Sequence, residues 1–268
     1  MSSPKPPLLS VLTTTRSDPR LLRCLASVDA LSKHVSLEHI IQEAGSTSEE
    51  SLSYIQNLKH CSYISEPDGG IYDGMNRCLM RASGIYSLVL NSDDILIEES
   101  MIALASYILN SCYDIYLFDI LLSRGSRPTL FSSLPSSILG RFNIAFGMGF
   151  PHGGFVVKTE ILRNYPFNAS FGLEADYAQM LYILQHKAYT RRWIGIPIQN
   201  FSLDGASSHR PYFSRLNPHV AHLRILARAP IPWPIKATAI SLRSFILLLM
   251  LPKHLMSLFL TRCTPPES

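Results

Sequence analysis

The stretch SEPDGGIYDGMNRCLMRASGIYSLVLNSDD, residues 65–94, decides the fold. Met75, Leu79 and Ala82 recur at helical spacing, Asp73 offers an N-cap side chain, and Gly84 suits the helix stop. The apolar run from Ile85 to Leu90 predicts a strand buried on both faces, as in a parallel sheet covered by helices. Its carboxyl end delivers Asn91, Ser92, Asp93 and Asp94 out of the core, at the edge where open α/β sheets place their ligand crevice. Two adjacent carboxylates repel, and a divalent cation relieves that repulsion by accepting their oxygens and presenting its own charge to phosphates. The segment therefore predicts a metal and diphosphate site, with Asp93 and Asp94 as its carboxylates.

Working outward, strands and helices alternate on both sides. Leu8 to Thr13 is suited to a first strand, and Asp18 with Pro19 opens a helix whose buried stripe is Leu21, Leu22, Leu25 and Val28. Leu37 to Glu43 reads as a second strand. The turn Gly45 to Thr47 leads into a helix whose Thr47 and Glu50 are spaced as a capping box, and Tyr63 and Ile64 form a short third strand. This alternation predicts an α/β fold with a doubly wound, mostly parallel sheet. Right-handed crossovers then gather the loops 13–18, 43–47 and 91–94 on one edge. Further on, the pattern gives a helix over Met101–Leu109, a strand over Ile115–Leu121 and a Ser/Pro/Arg-rich loop over 123–137. A glycine-bearing turn over 147–155 enters the strand Phe155–Val157, and a helix follows near Thr159–Asn164. Ala175, Met180, Leu181 and Leu184 mark a last buried helix face with Asp176 near its N-terminus.

Composition narrows the partners. With 268 residues, a formal net charge of +4 and a pI near 8.8, the chain suits one large α/β domain plus a tail, and no long Lys/Arg block in the first two hundred residues points to nucleic acid. Cys24, Cys61, Cys78, Cys112 and Cys263 are scattered without a CxxC pair, which suggests neither a zinc site nor a disulfide scaffold and fits a reducing cytosol. Met1 to Pro7 lacks the apolar core of a secretory signal, so a cytoplasmic location is expected.

SEPDGGIYDGMN, the strand ending in NSDD, the acidic residue in LEADYAQMLYIL, the opening SVLTTTR and the turn HIIQEAGST together resemble family 2 glycosyltransferases of the GT-A fold, in a shape similar to bacterial polysaccharide-assembly members. The resemblance covers roughly residues 8 to 205. It implies inverting transfer of a sugar from a nucleoside diphosphate donor, UDP favoured over GDP or dTDP, to a hydroxyl of a glycan or lipid-linked acceptor, with magnesium or manganese. By the same resemblance Thr13 and Thr15 line the nucleotide pocket and Glu43 stands where an aspartate normally hydrogen-bonds the base. Asn91, Ser92 and Asp93 match the DxD element, Asp93 being the metal ligand, and Asp176 matches the catalytic base, preceded by Ala175 and Glu174 rather than directly by a glutamate. General base help of this kind contributes about a hundredfold to ten-thousandfold. The expected organisation is a flexible N-terminus over 1–7, a nucleotide-sugar-binding half over 8–99, an acceptor half over 100–210 and an apolar helical tail over 211–268.

Plainer readings stand beside these. Asp93 and Asp94 could close a solvated turn, Asp68 and Asp73 could be a turn residue and a helix cap instead of donor contacts, and Asp176 could be a first-turn carboxylate favoured by the helix dipole. His152 and His209 receive no role. The tail from Ile231 is apolar, but Lys236, Arg243, Pro252 and Lys253 interrupt it, so it reads as a segment at a bilayer interface, at the inner face of the cytoplasmic membrane, or as a helix packed on protein. Two rival functions remain: a degenerate sugar-nucleotide-binding scaffold, given the departures at Glu43, Asn91 and Ala175, and a metal-dependent phosphohydrolase using Asp93 and Asp94.

Overall fold

The structure, a computed structural model, describes residues 5–124, 127–132, 143–146, 150–203 and 216–246. His209, Cys263 and the tail beyond residue 246 lie outside them, as do 125–126 and 133–137 of the loop expected over 123–137; residues 127–131 of that loop instead form a strand, because they pair antiparallel with the strand that ends at Arg124. In chain order the elements are β1 (Leu9–Thr15), α1 (Leu21–Ser32), β2 (Leu37–Glu43), α2 (Glu49–Gln56), β3 (Cys61–Ser65), α3 (Ile71–Arg81), β4 (Tyr86–Val89) and β5 (Ile95–Leu96). They continue with α4 (Glu98–Asn110), β6 (Ile115–Arg124), β7 (Arg127–Phe131), the four-residue α5 (Asn143–Phe146), β8 (Phe155–Lys158), α6 (Thr159–Asn164), α7 (Ala175–Gln185), β9 (Arg191–Ser202) and α8 (Leu216–Arg228). A further helical segment covers 233–246.

One nine-stranded sheet runs β3-β2-β1-β4-β8-β6-β9-β5, with β7 paired to β6. β1 pairs in parallel with β2 and β4, and β2 with β3, whereas β8 is antiparallel to both β4 and β6. β6 and β9 run parallel, so β1–β4, β6 and β9 all share one direction and the sheet is mixed but mostly parallel. The period-2 alternation of the strands sends neighbouring side chains into different cores. Val11, Leu88, Tyr116, Phe118, Val156 and Ile198 pack against α1 and α4, while Leu12, Val89, Leu117 and Val157 pack against α3, α7 and α8. Helices thus cover both faces, which is why all of β4 is buried and apolar apart from Ser87, whose hydroxyl lies 2.9 Å from Thr159 Oγ1.

Several expected boundaries shift for identifiable reasons. Asp73 does not cap α3: Gly70 does, at φ +115°, a left-handed conformation that favours glycine, and Asp73 lies in the first turn. α2 is capped by Ser48, which accepts from Ser51 N at 3.3 Å, leaving Thr47 free to bond elsewhere. β9 went unassigned in the sequence, although Ile194, Ile196 and Ile198 alternate as a half-buried strand should. The tail packs on protein as far as it is described: Ile225, Leu226, Ala229, Ile231 and Ala239 join the core beside α7. No helix among the described residues is long and apolar enough to cross a membrane.

Candidate active site

The carboxyl ends of β1, β4 and β9 and the amino ends of α3 and α7 surround a cleft of about 570 Å³. Its walls include Thr15, Arg16, Asp18, Arg20, Asp68, Tyr72, Asn91, Ser92, Asp93, His152, Asp176 and Ser202. Asp93, from the end of β4, and Asp176, from the first turn of α7, are 83 positions apart in the chain and open onto this one cavity. The motif IYDGMN explains how the two halves are held. Tyr72 and Asn76 lie one helical turn apart on one face of α3. Tyr72 Oη donates to Leu173 O at 2.9 Å, and Asn76 both donates to Phe167 O and accepts from Phe167 N at 2.9 Å. Gly74, on another face of α3, lets the helix lie close against β1 and the Asp68 turn, since a Cβ there would stand 2.8 Å from Asp68 Oδ2 and 2.9 Å from Thr14 Cγ2.

Of the sequence-derived candidates, Thr15, Asp68, Asn91, Ser92, Asp93 and Asp176 reach the cleft. Four others do not. Thr13 is fully buried within the sheet, its Oγ1 2.9 Å from His39 Nε2. Glu43 is fully buried too and braces two loops: it accepts from Ser17 N at 3.2 Å, Gly45 N at 2.6 Å and Thr47 Oγ1 at 2.5 Å. Asp73 points outward to Gly69 N and Arg77. Asp94, expected as a metal ligand, is 0% exposed and ties strands together, accepting from Ser202 N at 2.8 Å and Asn91 Nδ2 at 3.0 Å. Burial raises its carboxyl to about 7, so it is a poor candidate for the cation.

Asp93 is different. Burial raises its carboxyl above the usual range, with the Arg20 guanidinium pulling the other way, and Ser202 also bonds to it. Its Oδ2 is buried and 3.2 Å from Arg20 Nη1, but accepts no well-directed hydrogen bond. Burial pushes Asp18 upward as well, yet hydrogen bonds from Arg20 and Ser92 outweigh it and hold that carboxyl below its ordinary value. His152, pushed down to about 4 by burial against a hydrogen bond with Gln179, is a further ring on the cleft wall. Arg20, Tyr72 and Ser202 are cleft residues that sequence reasoning missed, and Asp18, expected on the loop at this edge as a helix cap, does not cap α1, whose N-cap is Arg20, but lines the cleft and holds the Arg20 side chain.

The donor set suits a cation of a particular kind. Among the described residues no three His, Cys, Asp or Glu side chains form a protein cage for a metal. Among the described residues Asp93 is the carboxylate that offers a buried, under-bonded oxygen to the cleft, which fits an ion that keeps water and draws its other ligands from phosphates. The ionisable lining, four aspartates (Asp18, Asp68, Asp93, Asp176) against two arginines (Arg16, Arg20), is formally −2, so a diphosphate entering it needs an accompanying positive charge.

The family model for Glycosyl transferase family 2 matches residues 10–168. The chain belongs to that family. The family 2 chain is also 35% identical over 91 residues to "Uncharacterized glycosyltransferase Rv1514c" of Mycobacterium tuberculosis, a match that covers 33% of the chain and 34% of that relative. It thus spans about a third of the curated relative. Among solved structures, S. aureus TarS 1–349 in complex with UDP-GlcNAc superposes with a TM-score of 0.63 at 15% identity, covering 87% of the family 2 chain and 70% of TarS 1–349. Mannosyltransferase PcManGT from Pyrobaculum calidifontis, in complex with GDP-Man and Mn2+, superposes with a TM-score of 0.60 at 12% identity over 98% and 77%. These likenesses establish the GT-A-type fold of the family 2 chain.

Proposed function

We propose that the chain is a nucleotide-sugar-dependent glycosyltransferase that inverts the anomeric centre as it moves one sugar to a hydroxyl of a glycan or lipid-linked acceptor. The observation carrying this reading is the shared cleft: Asp93 and Asp176, from different halves of the fold, face one cavity large enough for a small-molecule donor. Thr15, Asp68 and Asn91 hold the nucleoside end, with UDP favoured and GDP or dTDP as alternatives. The UDP-GlcNAc and GDP-Man complexes of the structural neighbours support a donor of this class.

Asp93 would hold Mg2+ or Mn2+, which when bound supplies positive charge to the departing diphosphate. Asp176 accepts the proton of the acceptor hydroxyl as that oxygen attacks the anomeric carbon. Asp176 lies in the first turn of α7, on the wall of the cleft that also holds Asp93. His152, neutral near pH 7, hydrogen-bonds sugar hydroxyls without adding charge beside Asp176. Exposed Trp233, Leu242 and Phe245 on the helix over 233–246 provide a peripheral contact with the membrane that would carry a lipid-linked acceptor. A phosphohydrolase built on two adjacent carboxylates is disfavoured because Asp94 is turned into the core.

Labelled donor followed with and without a glycan or lipid-linked acceptor tests the proposal. Label should move to the acceptor and need it. Release to water alone at the same rate would make the protein a hydrolase, and donor binding without either product would make it a scaffold.

A further inference from the structure

We infer that Arg20 is a resident cation that occupies Asp93 until a divalent ion arrives with the donor. The inference rests on Asp93 being the metal-holding carboxylate. Asp18 grips the Arg20 guanidinium as a fork, Nε to Oδ1 and Nη2 to Oδ2, both at 2.9 Å. Asp18 is itself saturated: Oδ1 also accepts from Arg20 N at 2.9 Å, and Oδ2 from Ser92 Oγ at 3.0 Å. Paired, bidentate bonds of this kind fix orientation as well as charge. The remaining arm, Nη1, reaches Asp93 Oδ2 at 3.2 Å and Ser202 Oγ at 3.5 Å.

The two ends of this bridge are unequal. Four hydrogen bonds secure Asp18, whereas Asp93 is bonded by Ser202 and its Oδ2, the oxygen facing Arg20, has the ion contact without an aligned hydrogen bond. A small turn of the Asp93 side chain therefore parts it from Nη1 while the fork on Asp18 stays closed. Because a divalent ion and Nη1 need the same oxygen, each weakens the other's hold. Asp18 is thus a positioning residue that aims Arg20, and Arg20 is a positioning residue that keeps a desolvated Asp93 compensated while the cleft has no donor. A divalent ion without its nucleotide meets this competition in full, and the ion that arrives on a diphosphate brings further ligands with which to win it.

Mn2+ binding to the full chain, read by electron paramagnetic resonance without nucleotide, tests this directly, with far-UV circular dichroism confirming the fold of each variant. Arg20→Gln should bind Mn2+ about tenfold more tightly than the parent, since a unit charge beside the ligand oxygen is removed. Asp18→Asn, which loosens the fork and lets Arg20 lean on Asp93, should bind it more weakly. A merely structural arginine would move both variants the same way. Arg20→Gln binding no tighter than the parent, while Asp93→Asn binds nothing, would overturn the role of Arg20 and leave Asp93 as the ligand. Asp93→Asn binding as the parent does would overturn the metal assignment itself.

Discussion

Replacing Glu43 separates a buried brace from a base-recognition residue. In the structure its carboxylate accepts from Ser17 N, Gly45 N and Thr47 Oγ1, joining the loop after β1 to the loop after β2. Glu43→Ala strands all three donors. Each lost bond costs about 1 kcal/mol net, and up to about 3 where the group stays dry. Ser17 and Gly45 sit on exposed backbone, so water recovers part of the loss and a total of about 2–3 kcal/mol is expected. Glu43→Gln keeps one acceptor oxygen, and Thr47 Oγ1, which already accepts from Tyr63 Oη at 3.1 Å, can turn to accept from the amide, so that change should cost only about 1 kcal/mol. Urea unfolding followed by far-UV circular dichroism gives both values, and affinities for uridine and guanosine diphosphate sugars give the second readout. Both affinities should fall together, with their ratio unchanged. Stability within about 0.5 kcal/mol of the parent together with a changed base preference would show that Glu43 reads the base after all.

Asp176→Asn should leave donor affinity intact and slow transfer by about two orders of magnitude or more, as loss of a general base does; a parental turnover rate would place the base elsewhere. Buried His39, held near 3 by burial, cannot take up the proton that the unfolded chain binds below about pH 6.5. The stability gap between the parent and His39→Gln should therefore shrink by up to about 3 kcal/mol from pH 7 to pH 4, and a constant gap in urea titrations would contradict it. Asp94 works in the opposite direction over the same window, and comparing the two proteins at each pH cancels it. The double change Trp233→Ser, Phe245→Ser removes exposed apolar surface without touching Ile231 or Ala239, which are core. It should reduce sedimentation with anionic liposomes at unchanged melting temperature, and equal sedimentation would remove the membrane contact.

Much of the fold was legible because local pattern and tertiary role coincide. β2 runs from Leu37 to Glu43 and α6 from Thr159 to Asn164, as the sequence suggests, and the loops after β1 and β4 meet at one edge as crossover handedness requires. β9 was not seen, because its partners β6 and β5 lie 70 or more residues away and set its extent through pairing. β1 likewise extends two residues past the expected Thr13 because Thr14 and Thr15 find partners in Gln42 and Glu43, which leaves Thr13 inside the sheet. Asp93 and Asp94 are adjacent in sequence and opposite in environment. The turn closed by Asp94 N on Asn91 O at 3.1 Å sends one carboxylate to the cleft and the other to Ser202, and composition carries no trace of that choice. The Asp18–Arg20 fork was hidden for a similar reason: its meaning depends on Ser92 and Asp93, brought alongside only by the sheet.

Calorimetric titration of UDP-GlcNAc and GDP-Man, each with Mn2+ and with EDTA, into the parent, Asp93→Asn and Asp94→Asn, tests the account most directly. One donor should bind the parent and Asp94→Asn in a Mn2+-dependent way, and Asp93→Asn should lose that dependence. Donor binding that survives Asp93→Asn unchanged, or that fails in Asp94→Asn while the protein stays folded, would contradict a cleft organised around Asp93.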